Sequence, residues 1–104
     1  MYCLLIDRDE HEAALRATAL RELGHVTIWV PDSLTATDVF AAWLPDAIVS
    51  SCAESEDVEA MRRWRAAGLT LPVIVETSSR DARLNIACLD AGADLRRLAR
   101  PRAG

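Results

Sequence analysis

Short apolar runs alternate with longer amphipathic segments along this chain, and glycines and prolines separate them. The apolar runs are rich in β-branched side chains, which is typical of strands buried on both faces of a parallel sheet. The longer segments repeat alanine, leucine and other apolar residues at helical spacing. The predicted strands are residues 2–6, 26–30, 47–49, 72–77 and 94–98. The predicted helices are residues 10–23, 33–43, 58–67 and roughly 80–91.

Residues at the helix ends support these boundaries. Asp9 followed by Glu12 fits a capping box, in which each residue's side chain bonds to the other's backbone N–H. Glu12 and Arg16 are four residues apart, which favours an ion pair along the helix. Gly24 has the position of the left-handed residue that ends many helices. The first helix is therefore predicted with both of its ends.

Strands that alternate with helices of this length indicate right-handed βαβ units and an α/β fold with a doubly wound parallel sheet. At 104 residues, we expect a single domain. The pattern contains five strands but only four helices. One face of the sheet near the last strands is therefore expected to lack its usual helical cover.

Composition excludes several classes of function. A net charge of −4 argues against a dominant nucleic-acid surface. All 12 basic residues are arginines. No apolar run approaches the roughly 20 residues that span a bilayer. The three cysteines, Cys3, Cys52 and Cys88, lack metal-ligand spacing, so we expect reduced thiols in a cytoplasmic protein.

Ser51 follows the predicted third strand, at the edge of the sheet where open α/β folds place their ligand chemistry. Its hydroxyl has two interpretations. The simpler one, which we favour, is a loop or capping group that satisfies nearby backbone atoms. The other is a site of phosphorylation or ligand contact.

The order of these features resembles the receiver domains of bacterial two-component response regulators. The resemblance covers about the whole chain and implies a CheY-like, flavodoxin-like strand order of 2-1-3-4-5. The features that carry it are Asp7 after the first strand, Pro45-Asp46 before the third, Pro72-Val73-Ile74-Val75 leading into Thr77-Ser78, and Ala91-Gly92-Ala93-Asp94 after the fourth helix.

The resemblance also implies a phosphorylation pocket, and this chain departs from it. Family members hold Mg²⁺ with two adjacent acidic residues after the first strand, but here Arg8 follows Asp7. Ser51 stands where the family has its phosphoacceptor Asp, and Arg100 stands near the usual Lys. Thr77 keeps the expected hydroxyl. Losing two carboxylates to Arg and Ser changes the local charge by about +3, so we expect no catalysis and no metal or other cofactor.

The partners of the charged residues at this edge are predicted as follows. Arg8 either forms an ion pair with Asp7, which we favour, or points to solvent. Glu76 interrupts the apolar fourth strand, so it meets Arg8 or Arg100 or lies on the uncovered sheet face. A shifted metal site of Asp7, Asp9 and Glu54 has little support, because Asp9 is already expected to cap a helix.

These observations predict a pseudo-receiver, which acts without phosphorylation through contacts with protein partners. We expect a homodimer or domain-swapped assembly through the fourth helix and fifth strand, and no membrane contact. Nucleic acid would be reached only through an output domain, with this chain as the N-terminal part of a transcriptional regulator. The predicted interface residues are Arg80, Leu84, Ala87, Cys88, Ala91 and Leu95.

A second hypothesis is a sensor of small anions or metabolites. In it, Arg8, Ser51, Thr77 and Arg100 would surround the ligand.

Overall fold

The computed structural model describes residues 1–51, 55–77 and 90–98, together with residues 83, 86 and 87; for residues 77 and 95–98 it describes the backbone. The chain begins with strand β1 and helix α1, and strands and helices then alternate. Residues 83, 86, 87 and 90 are also helical. The strands are β1 Tyr2–Ile6, β2 Val26–Val30, β3 Ala47–Ser50, β4 Val73–Thr77 and β5 Leu95–Leu98. The helices are α1 Glu10–Glu22, α2 Ser33–Phe40 and α3 Ser55–Ala66.

The five strands form one parallel sheet in the order β2-β1-β3-β4-β5. This confirms the predicted α/β fold and strand order. The order reverses between β1 and β3, so the carboxyl ends of these strands flank the crevice where ligands bind in such sheets.

Alternation along β1 distributes the core between the two faces of the sheet. Leu4 and Ile6 pack with residues of α2 and α3, including the fully buried Met61. Leu5 packs on the opposite face with Ala13 and Ala17 of α1. Helices therefore cover both faces of the central strands, as a doubly wound sheet requires.

The predicted caps of α1 are only partly correct. The Asp9 side chain accepts a hydrogen bond from the Glu12 N–H at 3.0 Å, but the Asp9 N–H donates to Asp7 rather than to Glu12. Gly24 is at the predicted position with φ +91°, and its N–H donates to the carbonyl of Arg21. This is the backbone conformation for which glycine has no steric penalty.

Two helix boundaries differ from the prediction. Helix α2 ends at Phe40 instead of Trp43, and the carbonyl of Val39 accepts the N–H groups of both Ala42 and Trp43. Helix α3 begins at Ser55, so Asp57 lies in its first turn and not in a loop. Acidic residues in a first turn are stabilised by the helix dipole, which explains the earlier start.

Helical cover is expected to be missing from one sheet face near the last strands, and β3 lies outside that region. On the α1 side, Val49 of β3 is 8% exposed and Ile74 of β4 is half-buried. The bare surface therefore does not reach β3. Within the part of the chain that the structure describes, no helix is long and apolar enough to cross a membrane.

Candidate functional site: a guanidinium beside a buried carboxylate

Asp7 and Ser51 follow the adjacent strands β1 and β3, and their backbone N–H groups continue the sheet ladder. The Asp7 N–H donates to the carbonyl of Val30 at 3.1 Å, and the Ser51 N–H donates to the carbonyl of Ile6 at 3.0 Å. Asp7 is only 3% exposed, whereas Ser51 is half-buried. Asp7 and Ser51 therefore lie at the same edge of the sheet.

Both carboxylate oxygens of Asp7 are engaged by the protein itself. Oδ1 accepts the Asp9 N–H at 3.0 Å, and Oδ2 accepts a hydrogen bond from Nη1 of Arg16. The Arg16 side chain is 15% exposed and the Asp7 side chain 4%, so most water is excluded from this ion pair. A buried charge of this kind is tolerated because it is paired and hydrogen-bonded.

The cation that pairs with Asp7 is therefore Arg16, and the predicted Arg8–Asp7 pair is wrong. The predicted local pair of Glu12 with Arg16 is also not formed. Glu76 does meet an arginine, as predicted, but its partner is Arg16, with Nε 3.6 Å from Oε1. A single guanidinium from α1 thus lies between the carboxylate that follows β1 and the carboxylate of Glu76, the residue before the end of β4.

Arg8 extends in a different direction, towards the start of α3. Its Nη2 is 2.5 Å from Oε1 of Glu56 and 3.7 Å from Oδ1 of Asp57. Asp57 is 4% exposed and accepts a hydrogen bond from the Ser33 hydroxyl at 2.7 Å. These contacts join the β1–α1 loop to the first turns of α2 and α3.

Arg16 and Asp57 are functional-site residues that the sequence prediction missed. The predicted third helix begins at residue 58, which leaves Asp57 before the helix, where a carboxylate needs no partner. The run Ser55-Glu56-Asp57 was nevertheless a usable signal, because a hydroxyl residue followed by two acids is typical of a helix start.

The remaining predicted pocket residues are not gathered around one point by the contacts described. Thr77 is the last residue of β4 and is paired in register with Leu98 of β5. Arg100 lies outside the described residues. Since Arg8 pairs with Glu56, the predicted anion site of Arg8, Ser51, Thr77 and Arg100 does not receive Arg8 in this structure.

The donor set at this edge does not fit Mg²⁺. That ion requires oxygen ligands and carboxylate charge. Here the Asp7 oxygens are already occupied by Arg16 and a backbone N–H, and Asp9 caps α1. No metal-binding cluster of three or more His, Cys, Asp or Glu occurs among residues 1–51, 55–77 and the described remainder. Glu54, the third member of the predicted shifted site, lies outside them.

The predicted partner surface is only partly described. Ala91 is 5% exposed and belongs to the core, and Ala87 is partly buried against it. These two side chains therefore stabilise the fold and offer little surface to a partner, which corrects their predicted role. Leu95 begins β5. Arg80, Leu84 and Cys88 lie outside the described residues.

Arg65 of α3 connects that helix to the segments that lead into β4 and β5. Its guanidinium donates to the carbonyls of Leu69, Leu71 and Gly92 and to the Asp94 carboxylate, at 2.8–3.1 Å. The Asp94 carboxylate also accepts the N–H of Val73 at 2.8 Å. The starts of β4 and β5 are therefore held by one side chain of α3.

Comparison with solved structures finds several chains with a similar fold. The receiver domain of a sensor histidine kinase from Pseudomonas aeruginosa, which holds a magnesium ion in its active-site cleft, matches with 27% identity and a TM-score of 0.82; the match covers 98% of this chain and 86% of that one. A putative response regulator from Chloroflexus aurantiacus matches with 26% identity and a TM-score of 0.83, over 93% of this chain and 83% of that one.

The signal receiver domain of a histidine kinase from Syntrophus aciditrophicus has a TM-score of 0.85 and 24% identity, over 97% of this chain and 80% of that one. No protein-family model and no curated protein matches the sequence.

Proposed function

We propose that this chain, which is a CheY-like receiver domain, is a signalling module that works without phosphorylation and catalyses no reaction. The observation that carries the proposal is the hydrogen-bonded pair of Arg16 with the buried Asp7. In this pair a covalently attached cation neutralises the carboxylate that a receiver would offer to its metal ion.

Electrostatics gives the size of the effect. Two like unit charges about 4 Å apart repel by about 4 kcal/mol at an effective dielectric constant of 20, and the repulsion doubles for a divalent ion. A metal ion approaching Asp7 would meet this repulsion from Arg16 and would also have to displace it. The receiver domain from Pseudomonas aeruginosa coordinates magnesium in its cleft. We infer that this chain has exchanged that ion for a side chain.

Ser51, which stands at the position of the phosphoacceptor in receiver domains, supports the same proposal. A serine hydroxyl is a weak nucleophile unless a base removes its proton. Ser51 donates its N–H to the carbonyl of Ile6, which fits the interpretation as a residue that continues the sheet. We infer that Ser51 does not accept a phosphoryl group.

Phosphorylation by acetyl phosphate with Mg²⁺, followed by intact-protein mass spectrometry, tests the proposal. We expect no phosphoryl adduct on the wild-type chain. The positive arm is the triple variant Arg8→Asp, Arg16→Ala and Ser51→Asp, which restores the acidic residues and removes the guanidinium. An adduct on wild-type Ser51 or Asp7 would overturn the proposal.

The output of such a module would be a contact with another protein. We propose that this contact is made by a homodimer or an exchanged element of the region from residue 80 to β5, in the N-terminal part of a transcriptional regulator. Size-exclusion chromatography with light scattering should report twice the monomer mass. A stable monomer at high protein concentration would eliminate the dimer.

A further inference from the structure

A cleft of about 410 Å³ lies between α2 and α3, and neither Asp7 nor Arg16 is among its lining residues. Its walls are mainly apolar and include Leu34, Ala60, Trp64 and Ala67. Its volume falls within the range of about 300–1,000 Å³ that is usual for small-molecule sites. Trp64 is 6% exposed and Ala60 5%, so the inner wall belongs to the packed core and is preformed.

The polar groups of the cleft walls already have partners. The indole Nε1 of Trp64 donates to Oγ1 of Thr37 at 2.9 Å, and that hydroxyl donates to the carbonyl of Ser33 at 2.9 Å. The inner surface therefore offers apolar contact and no unsatisfied donor. An occupant would bury an apolar body against it.

The rim of the cleft has one uncompensated cation. Glu59 lies four residues before Arg63, but its carboxylate pairs with Arg62 at 2.7 Å. Within the described part of the chain, the Arg63 guanidinium makes no hydrogen bond or ion pair. The other basic residue of the rim, Arg8, is paired with Glu56.

The remaining acid of the rim, Asp32, is used within the protein. It caps α2 by accepting the Thr35 N–H at 2.7 Å, and this backbone hydrogen bond lowers the pKa of the Asp32 carboxyl. Asp32 is therefore ionised at neutral pH and directed at the helix N-terminus. Arg63 remains as the group that would recognise an anion.

We propose that the α2–α3 cleft binds a small organic acid with an aromatic or branched aliphatic body and one carboxylate. The body packs against Trp64, Leu34 and Ala67, and the carboxylate pairs with Arg63. This site shares none of its binding groups with the Asp7 pair. The proposal therefore stands or falls independently of the proposed function.

Titration of the ¹⁵N-labelled chain with indole-3-acetate tests the site, read from the indole N–H resonances. Trp64 should shift in a saturable manner. Trp29, whose Nε1 donates to the carbonyl of Asp7 at 2.8 Å outside the cleft, is the internal reference and should not shift.

Matched variants separate the site from general charge effects. Arg63→Ala should weaken binding about fivefold, which is the upper range for a single exposed ion pair. Arg62→Ala is made in a Glu59→Gln background, so that no carboxylate is released to Arg63. It removes the same charge from the neighbouring position and should leave binding unchanged relative to Glu59→Gln. Ala67→Phe fills the mouth of the cleft from an exposed position and should abolish binding, whereas Ala66→Phe, at an exposed residue outside the lining, should not.

Neutral indole-3-acetamide completes the test. Its affinity for the wild-type chain should be about fivefold lower than that of the acid. For the Arg63→Ala variant, the acid and the amide should have equal affinities. Equal losses from the Arg62 and Arg63 variants, or no saturable Trp64 shift, overturn the proposal. Binding of an acidic amphipathic peptide, without binding of the acid, overturns it in favour of a protein-docking groove.

Discussion

Replacement of Arg16 by Met is the most direct perturbation of the site, because it keeps the length of the side chain and removes its charge. The variant leaves the carboxylate of Asp7, 4% exposed, with only the Asp9 N–H as a described hydrogen-bond partner. Breaking a buried ion pair costs about 3–5 kcal/mol. We expect the lower value, about 3 kcal/mol, because Arg16 retains 15% exposure and the pair is not fully dry.

Urea denaturation measures this loss. With an m-value of about 1.5 kcal/mol/M, a loss of about 3 kcal/mol lowers the unfolding midpoint by about 2 M. Asp7→Asn and the double variant complete a double-mutant cycle. Because the double variant leaves no unpaired charge, it should be more stable than Arg16→Met, with a coupling energy of about 2 kcal/mol.

Arg62→Met is the matched control, since the Arg62 side chain is 46% exposed and pairs with Glu59 on the surface. Its cost should stay below about 1 kcal/mol. Additive effects of the Arg16 and Asp7 substitutions, or an Arg16→Met cost no larger than that of the control, would refute the inference that this ion pair is strong and buried.

Three further predictions follow from caps, glycines and the sheet edge. Asp32→Ala removes the cap of α2 and should cost about 1 kcal/mol at neutral pH. Because the pKa of Asp32 is lowered in the folded state, the stability difference between wild type and Asp32→Ala is fully present above about pH 4. It is lost as the pH falls through the folded-state pKa. Gly92→Ala should cost about 3 kcal/mol against about 1 for Gly24→Ala, because φ at Gly92 is +118° and an added Cβ would lie 2.7 Å from a side-chain carbon. Arg21→Ser uncovers the carbonyl of Thr27 on the edge strand β2, where Nη2 now donates at 3.0 Å, and should increase aggregation with a stability change below about 1 kcal/mol.

Each of these has a decisive measurement. Urea midpoints across a pH series should converge for wild type and Asp32→Ala in acid, and a constant gap would contradict the linkage argument. Equal midpoints for the two glycine variants would show that the close approach at Gly92 relaxes freely. Light scattering of concentrated samples measures aggregation, with Arg62→Ser as the control for loss of one positive charge.

The strands were predictable because β-branched apolar runs, separated by glycine and proline, leave few alternatives for 104 residues. Their order was implied by the resemblance to receiver domains and not by the apolar pattern. Gly24 and Asp9 likewise have conformational preferences of their own, which fix the ends of α1. In both cases the relevant physics is local, and the observed backbone agrees with it.

The partner of Asp7 was not predictable by the same means. The helical i,i+4 rule directs Arg16 to Glu12, a pair worth only about 0.2–0.5 kcal/mol at an exposed position. The buried carboxylate of Asp7 competes for the same guanidinium, and the free-energy cost of leaving that charge unpaired is far larger. That competition depends on how α1 packs on the sheet, which the spacing of charges along the sequence does not contain. The same holds for Arg8, whose partner Glu56 is 48 residues away.

The proposed replacement of a dissociable ion by Arg16 would also change the thermodynamic linkage of the site. A bound metal stabilises a protein to a degree that depends on its free concentration, through mass action. The guanidinium of Arg16 is part of the chain and has no free concentration. Its contribution to the free energy of unfolding should therefore be the same with a chelator present and with added magnesium. The proposal therefore predicts that the stability of this domain does not depend on magnesium levels.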